Sequence, residues 1–385
     1  MLRRIVPYCT LLFIVLTSTV LAWAPFIMRG EFSTVYKHFD GPLYIIPAKT
    51  GYNPEAFKLI DREPTLPHNP LYYAAHLPLY PFFIYLGSFA GGFLKSMVGV
   101  TLLSTIALSW FFYYLLKKFN STKHPLLLTT LFLFLPRFLV VRSVGSPEPL
   151  FILLILSSLF FFEKKNYLLA GLLGGLATMT KTPGILLFPA YILTIIETSL
   201  TLFWQAEGLS RIKTDSGQAR VTVFFNLKWL YLFLIPLSLL AVFGLYYMQY
   251  DDFFAYFHTG GTVPMPYPFS VFNSSAQWVG TAWLEDTLFY FALYLSTAVV
   301  LWKSKYRSFF YFSFLFSTSL LFIQHRDISR YSLPLWPLAC IAFEHIFTSK
   351  KALLVGIILF AGIYMYAWNF LGSNVMPISE WLPFL

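Results

Sequence analysis

The chain has 385 residues, of which 57% are hydrophobic, 20% aromatic and 11% charged. A soluble domain carries roughly 25% charged residues, so this sequence lacks the charge to cover a water-facing surface and reads as an integral membrane protein. Its formal net charge of +10 does not mark a nucleic-acid binder, whose basic residues gather in one patch; here Lys and Arg fall in small clusters between apolar runs, as in positive-inside loops.

Arg3-Arg4 followed by the apolar run Ile5 to Phe26 imitates a signal peptide, and Ala22-Trp23-Ala24 imitates a cleavage site. The run is longer than the roughly 7 to 15 apolar residues of a signal peptide and Pro25 interrupts its end, so residues 5–26 are expected to form a first span with the N-terminus inside. Further apolar runs at about 97–116, 125–141, 149–162, 167–180, 184–200, 229–249, 287–302, 308–324, 331–347 and 352–371 are expected spans, those at 149 and 167 being short for a hydrocarbon core of about 30 Å. Cys9 and Cys340, the two cysteines, both lie in apolar segments and indicate neither a disulfide framework nor a Cys-based metal site.

The run Leu77 to Leu94, with Pro78, Pro81, Gly87, Gly91 and Gly92, is placed by its effect on charge. If it does not cross, sixteen of the 27 Lys and Arg, including Lys117, Lys118, Lys123, Lys164, Lys165, Lys303, Lys305, Arg307, Lys350 and Lys351, fall inside. If it crosses, those clusters move outside, against the positive-inside rule. A re-entrant or interfacial helix on the outer face is therefore expected, with about eleven spans in one all-α polytopic domain. The predicted organisation is a first span (5–26), an outer loop with interfacial helices (28–96), core spans (97–200), a cytoplasmic loop (201–228), and further spans to 385 enclosing an outer loop at 250–286. Twelve of the 17 acids then lie outside, and the chemistry is expected there.

The first outer loop is long for a connection between spans and contains His38-Phe39-Asp40-Gly41-Pro42-Leu43-Tyr44. An Asp among aromatics at a membrane boundary suits a general base acting on a hydroxyl while a lipid-linked partner stays in the bilayer; a cap on a short surface helix is the plainer alternative. At the outer end of the 125–141 run, Arg137, Arg142, Ser143, Ser146, Pro147 and Glu148 cluster. Charges near hydrocarbon are costly, so Arg137 is expected to have a partner, and Arg142 either pairs with Glu148 or meets a ligand. Lys181 in Thr180-Lys181-Thr182-Pro183-Gly184 meets a phosphate or snorkels to the headgroups. Gln324-His325-Arg326-Asp327-Ile328-Ser329-Arg330-Tyr331 suits an anionic headgroup or a local ion network. In the 250–286 loop, Phe253, Phe254, Tyr256, Phe257, His258, Tyr267, Trp278 and Trp283 suit either sugar stacking or an interfacial aromatic belt. No GxxxxGK[ST], HExxH, GxSxG or CxxC motif anchors a nucleotide-driven pump, a zinc protease or a thiol enzyme.

Four of these elements, in order over about residues 36–340, resemble the PIG-V-like mannosyltransferases, membrane glycosyltransferases of the GT-C superfamily. Asp40-Gly41 with Tyr44, Gly51-Tyr52 and Pro78-Leu79-Tyr80-Pro81 are similar to that family's W/FDGxxY, GY and FPLYP series. Ser146-Pro147-Glu148-Pro149-Leu150-Phe151 resembles its TESLF element, Tyr167 to Gly184 its WLAGLLGALAALTRPTG stretch, and Arg330-Tyr331-Ser332-Leu333-Pro334 with Pro337 its RYLLPxFP element. His76, Phe39, Pro147 and Lys181 depart from the usual residues, at positions that bear on the sugar and the acceptor.

The resemblance implies transfer of mannose or a similar hexose, with inversion, from a polyprenyl-phosphate sugar to a lipid or glycan acceptor on the extracytoplasmic face. Asp40 is the implied catalytic base. Tyr44, His76, Tyr80, Arg142, Glu148, Lys181, His325, Arg326, Arg330 and Tyr331 are the expected substrate-binding residues. No cofactor or metal is expected beyond the donor itself, since a carboxylate and cationic phosphate binders can supply the chemistry. The expected partners are the lipid-linked donor, the acceptor and the membrane, with no nucleic acid. The expected membrane is the plasma membrane of a prokaryote, or the endoplasmic reticulum of a eukaryote. A transporter or lipid flippase would instead place ionisable residues and broken helices at the midplane, and a non-catalytic assembly subunit would leave Asp40 dispensable.

Overall fold

The computed structural model describes residues 2–61, 66, 68–212, 226–259, 264–276, 284–378 and 380–385, with the side chains of 2–4 and 202–212 left aside. It is 77% helical, and the described residues form no sheet, only two isolated β bridges. Ten helices of thirteen residues or more carry the architecture: α1 (Leu2–Met28), α2 (Leu79–Gly91), α3 (Phe93–Phe119), α4 (Glu148–Glu163), α5 (Tyr167–Thr180), α6 (Leu187–Ile212), α7 (Leu234–Tyr250), α8 (Glu285–Leu301), α9 (Arg307–Leu320) and α10 (Lys350–Ser373). The stretches Ile5–Met28, Phe93–Phe119, Thr182–Thr201, Leu227–Tyr250 and Lys350–Ser373 are long and apolar enough to cross a membrane. Residues 213–225 of the loop 201–228, with Trp278 and Trp283, lie outside the described residues.

Every apolar run of the sequence is helical, but not always in one piece. The 125–141 run divides into Pro125–Leu133 and Pro136–Val141, because Pro136 forces the preceding Leu135 out of the helical region. The 331–347 run, carrying Pro334 and Pro337, divides into Leu333–Leu335, Trp336–Ala342 and Glu344–Phe347. α2, at thirteen residues, is about 20 Å long at 1.5 Å per residue. That is shorter than a hydrocarbon core of about 30 Å. Gly92, at φ +80°, turns the chain directly into α3, and Ser96 Oγ donates to Ile84 O (2.6 Å) to hold the two helices together. α3 ends where Asn120 adopts a left-handed cap after Lys117 and Lys118, cations that favour a helix C-terminus.

The core is built around α4, most of whose residues are buried, from Glu148 and Phe151 to Phe162. Such a helix is apolar all round because protein surrounds it, which is how a segment shorter than a span is accommodated. α5 packs closely between α4 and α7. A Cβ on Gly171 would stand 2.0 Å from Tyr231 O, so only glycine permits this approach, as at small-residue interfaces between membrane helices. Ser158 on α4 donates to Ala170 O (2.7 Å) and its hydroxyl lies 2.6 Å from that of Tyr191. At the opposite end, Glu148 at the N-terminus of α4, Lys181 after α5, and Tyr331 and Pro334 of the broken 331–347 segment line one cavity.

Candidate active site

Asp40 sits in a tight turn between Ser33–Tyr36 and the single turn Pro42–Tyr44. Its side chain caps no helix; Gly41 occupies the N-cap position. Gly41 is required for space, since a Cβ there would lie 2.7 Å from Gly145 O. The turn is thus pressed against the Gly145-Ser146 segment that leads into α4. Ser146 N donates to Thr101 Oγ1 (2.9 Å), and the Tyr80 hydroxyl stands 2.7 Å from the same oxygen. This fixes Glu148 at the first position of α4, where the helix dipole favours a carboxylate.

Four charges then alternate. Arg330, from the short helix Ile328–Tyr331, donates Nη1 to Asp40 Oδ2 (2.8 Å) and Nε to Glu148 Oε1 (2.6 Å). Lys181, at the C-cap of α5, donates Nζ to the same Glu148 oxygen (2.6 Å), and Ser146 Oγ donates to Glu148 Oε2. Arg330 therefore bridges two carboxylates 108 residues apart in sequence, and Glu148 is shared by two cations. Its side chain is 2% exposed and that of Asp40 28%, so Glu148 is the buried anchor and Asp40 the accessible acid. Beside them Arg137 pairs with Asp327, the residue that opens the Arg330 turn.

These groups face a cavity of about 250 Å³. Eight of the expected site residues line it: Asp40, Tyr44, His76, Glu148, Lys181, His325, Arg330 and Tyr331. Lys181 Nζ lies 5.8 Å from the centre of the Tyr331 ring, and the rings of His325 and Tyr331 meet edge to face at 4.9 Å. His76 lies against Tyr44 at 4.6 Å. Burial pulls the His76 imidazole down to about 4, against the opposing pull of Asp40, and it is neutral at physiological pH. His325 is lowered for the same first reason, burial, with Asp327 opposing.

Three expected residues do not line the cavity. Tyr80 is fully buried behind Tyr44 and supports the Ser146 turn. Arg142 does not pair with Glu148; its Nε donates to the carbonyl of Leu133 (3.1 Å), the last residue of the Pro125–Leu133 helix, and its Nη groups donate to Ser18 and Thr19 on α1. It caps a broken helix and ties it to the first span. Arg326 is exposed and lies outside the lining. Of the 250–286 aromatics, Tyr256 reaches the cavity, its hydroxyl 2.9 Å from Thr182 Oγ1, while Phe254, Phe257 and Tyr267 are exposed. Phe39, Tyr72, Phe151, Phe316 and Ile323 also line the cavity. Phe151, Phe316 and Ile323 lie within expected spans, where nothing in an apolar run distinguishes a cavity-facing position from a core one.

No protein-family model matches the chain, and no curated protein does. Among solved structures, the crystal structure of the Archaeoglobus fulgidus oligosaccharyltransferase, tethered with an acceptor peptide containing the NVT sequon via a disulfide bond, aligns over 96% of this chain and 56% of its own. The TM-score is 0.51 at 13% identity. The archaeal oligosaccharyltransferase AglB from Archaeoglobus fulgidus in complex with an inhibitory peptide and a dolichol-phosphate aligns over 96% and 57%, with a TM-score of 0.49 at 13% identity. The chain spans little more than half the length of these structures. With its helical, sheet-free architecture and membrane-length apolar helices, the chain has the fold of the GT-C membrane glycosyltransferases.

Proposed function

We propose that the chain is a GT-C glycosyltransferase that moves mannose, or a similar hexose, from a polyprenyl-phosphate donor to a lipid or glycan acceptor at the extracytoplasmic face. The observation that carries this reading is the accessible Asp40 carboxylate, held by Arg330 at a cavity that Lys181, His325, Tyr331 and several further aromatic rings also line. In the proposed reaction Asp40 takes the proton of the acceptor hydroxyl, whose oxygen attacks the anomeric carbon. The bond from that carbon to the phosphate oxygen breaks, and the phosphate departs with the electron pair. Attack opposite the departing group inverts the anomeric centre. Arg330 and Lys181 are the cations placed to meet the charge that grows on the phosphate, an electrostatic contribution of the kind that dominates such transfers. His76 and Tyr44 form the wall next to Asp40 and shape the sugar pocket.

The similarity of the Asp40, Glu148, Lys181 and Arg330 segments to the PIG-V-like elements supports mannose as the sugar. The fold likeness supports the class alone. The deciding experiment incubates purified protein with polyprenyl-phosphate mannose, glucose and galactose and a panel of lipid, glycan and peptide acceptors. Transfer to a lipid or glycan acceptor, fastest from the mannose donor, is the expected result. Lipid-linked sugar that crosses reconstituted vesicles without being transferred would replace this reading with a flippase.

A further inference from the structure

We propose that the segment Asn374–Met376 positions Asp40, so that the turn carrying the catalytic carboxylate is held by chain far away in sequence. This rests on the glycosyltransferase reading above. The segment follows α10 and meets Lys37–Phe39 in an isolated antiparallel bridge: Phe39 N donates to Asn374 O (3.0 Å), Met376 N donates to Lys37 O (2.8 Å), and His38 faces Val375. Asp40 is the next residue. Phe39 is held at φ +35°, a conformation that side chains other than glycine rarely adopt, so the turn depends on support from outside itself.

The support is anchored in turn. The Lys37 ammonium lies 4.8 Å from the centre of the Trp381 ring, and Lys49 Nζ donates to Pro383 O (2.9 Å). The end of α10 also reaches the second half of the charge network. Phe370 packs against His38 at 5.6 Å and under the Arg137 guanidinium at 4.1 Å, and Arg137 holds Asp327 at the start of the Arg330 turn. One continuous element therefore sets both Asp40 and Arg330, two residues that share a hydrogen bond across 290 positions.

The test compares Met376→Pro, which removes the N–H that Lys37 O accepts, with Met376→Leu, which keeps it. Met376→Pro is expected to lower kcat for transfer by roughly 10- to 100-fold, the scale of a misplaced reacting group, while the donor KM and the unfolding midpoint stay close to wild type. Met376→Leu should match wild type. His38 and Val375 form a non-hydrogen-bonded pair, whose Cα atoms stand about 4.5 Å apart in such ladders, within reach of a disulfide. His38→Cys with Val375→Cys in the Met376→Pro background should recover kcat on oxidation and lose it on reduction. An unchanged kcat in Met376→Pro, a loss explained by unfolding, or no recovery on oxidation would overturn the positioning role. Asp40→Asn run alongside separates the two ideas: full activity there removes the base assignment, whereas an inactive Asp40→Asn beside a fully active Met376→Pro removes the positioning role of the 374–376 segment alone.

Discussion

Asp40→Asn separates catalysis from folding, and the structure sets both magnitudes. The substitution keeps the shape of the side chain and leaves an amide oxygen able to accept from Arg330 Nη1, while Arg330 retains its 2.6 Å bond to Glu148. The Asp40 side chain is 28% exposed and that of Arg330 14%, so the pair is part-buried, but the amide keeps the hydrogen bond and Glu148 keeps Arg330 paired. Stability should therefore fall by only about 1 kcal/mol, the scale of one weakened hydrogen bond. A general base contributes about 10²- to 10⁴-fold to rate, which is about 3 to 5 kcal/mol at 1.36 kcal/mol per tenfold. The loss of activity should thus exceed the loss of stability several times over. The assay measures hexose transfer from a polyprenyl-phosphate donor and the unfolding midpoint on the same detergent-solubilised samples. A transfer rate within a few-fold of wild type, or a rate that falls only as the folded fraction falls, would refute the reasoning.

Glu148→Gln should show the opposite balance: a neutral amide would leave Arg330 and Lys181 facing each other in a site where Glu148 is 2% exposed, and removing one member of such a buried network costs about 3 to 5 kcal/mol. A drop in unfolding midpoint much larger than that of Asp40→Asn is the check. Gly41→Ala places a methyl 2.7 Å from Gly145 O and 3.1 Å from His38 O, both backbone atoms, and overpacking of this kind costs about 1 to 3 kcal/mol; chemical denaturation of the variant measures it. Acid should weaken the fold through His76, whose folded value of about 4 lies below the ordinary imidazole value near 6.5. Between those values the unfolded chain binds a proton that the folded chain refuses, so stability falls as pH falls through the window. The His76 share is about 2 kcal/mol between pH 7 and pH 5. His76→Gln should lose this share, read as a shallower pH dependence of the unfolding midpoint than wild type.

The helical membrane architecture is legible in the sequence because composition and apolar run length decide it: α1, α3, α7 and α10 appear where the runs at 5–26, 97–116, 229–249 and 352–371 place them. The helix α2 appears inside the Leu77 to Leu94 run, and at thirteen residues it is shorter than the helices long enough to cross; its place on the outer face is an expectation drawn from the charges on either side of it. Less legible are the breaks. Pro136, Pro334 and Pro337 stand in the sequence as interruptions, yet an apolar run with a proline is compatible with a kinked span; the structure shows the chain stopping and restarting at them instead.

The candidate site divides along the same line. Which residues come together was largely readable, because charges that survive next to hydrocarbon need a reason; eight of the eleven expected side chains reach one cavity. Who pairs with whom was not. A sequence window makes Arg142 and Glu148 neighbours, six positions apart, and hides Arg330 from Glu148 across 182. The break at Pro136 decides the matter: it frees the Leu133 carbonyl, which takes Arg142 toward α1, and so leaves Glu148 to the cations arriving from α5 and from the 328–331 turn. Local spacing cannot foresee this, since the partner of a buried charge is set by which backbone groups lose their own hydrogen bonds nearby. The same reasoning explains why Asn374 and Met376 carry no signal: they act through main-chain N–H and C=O groups that every residue other than proline possesses, and their identity is free where their backbone is not.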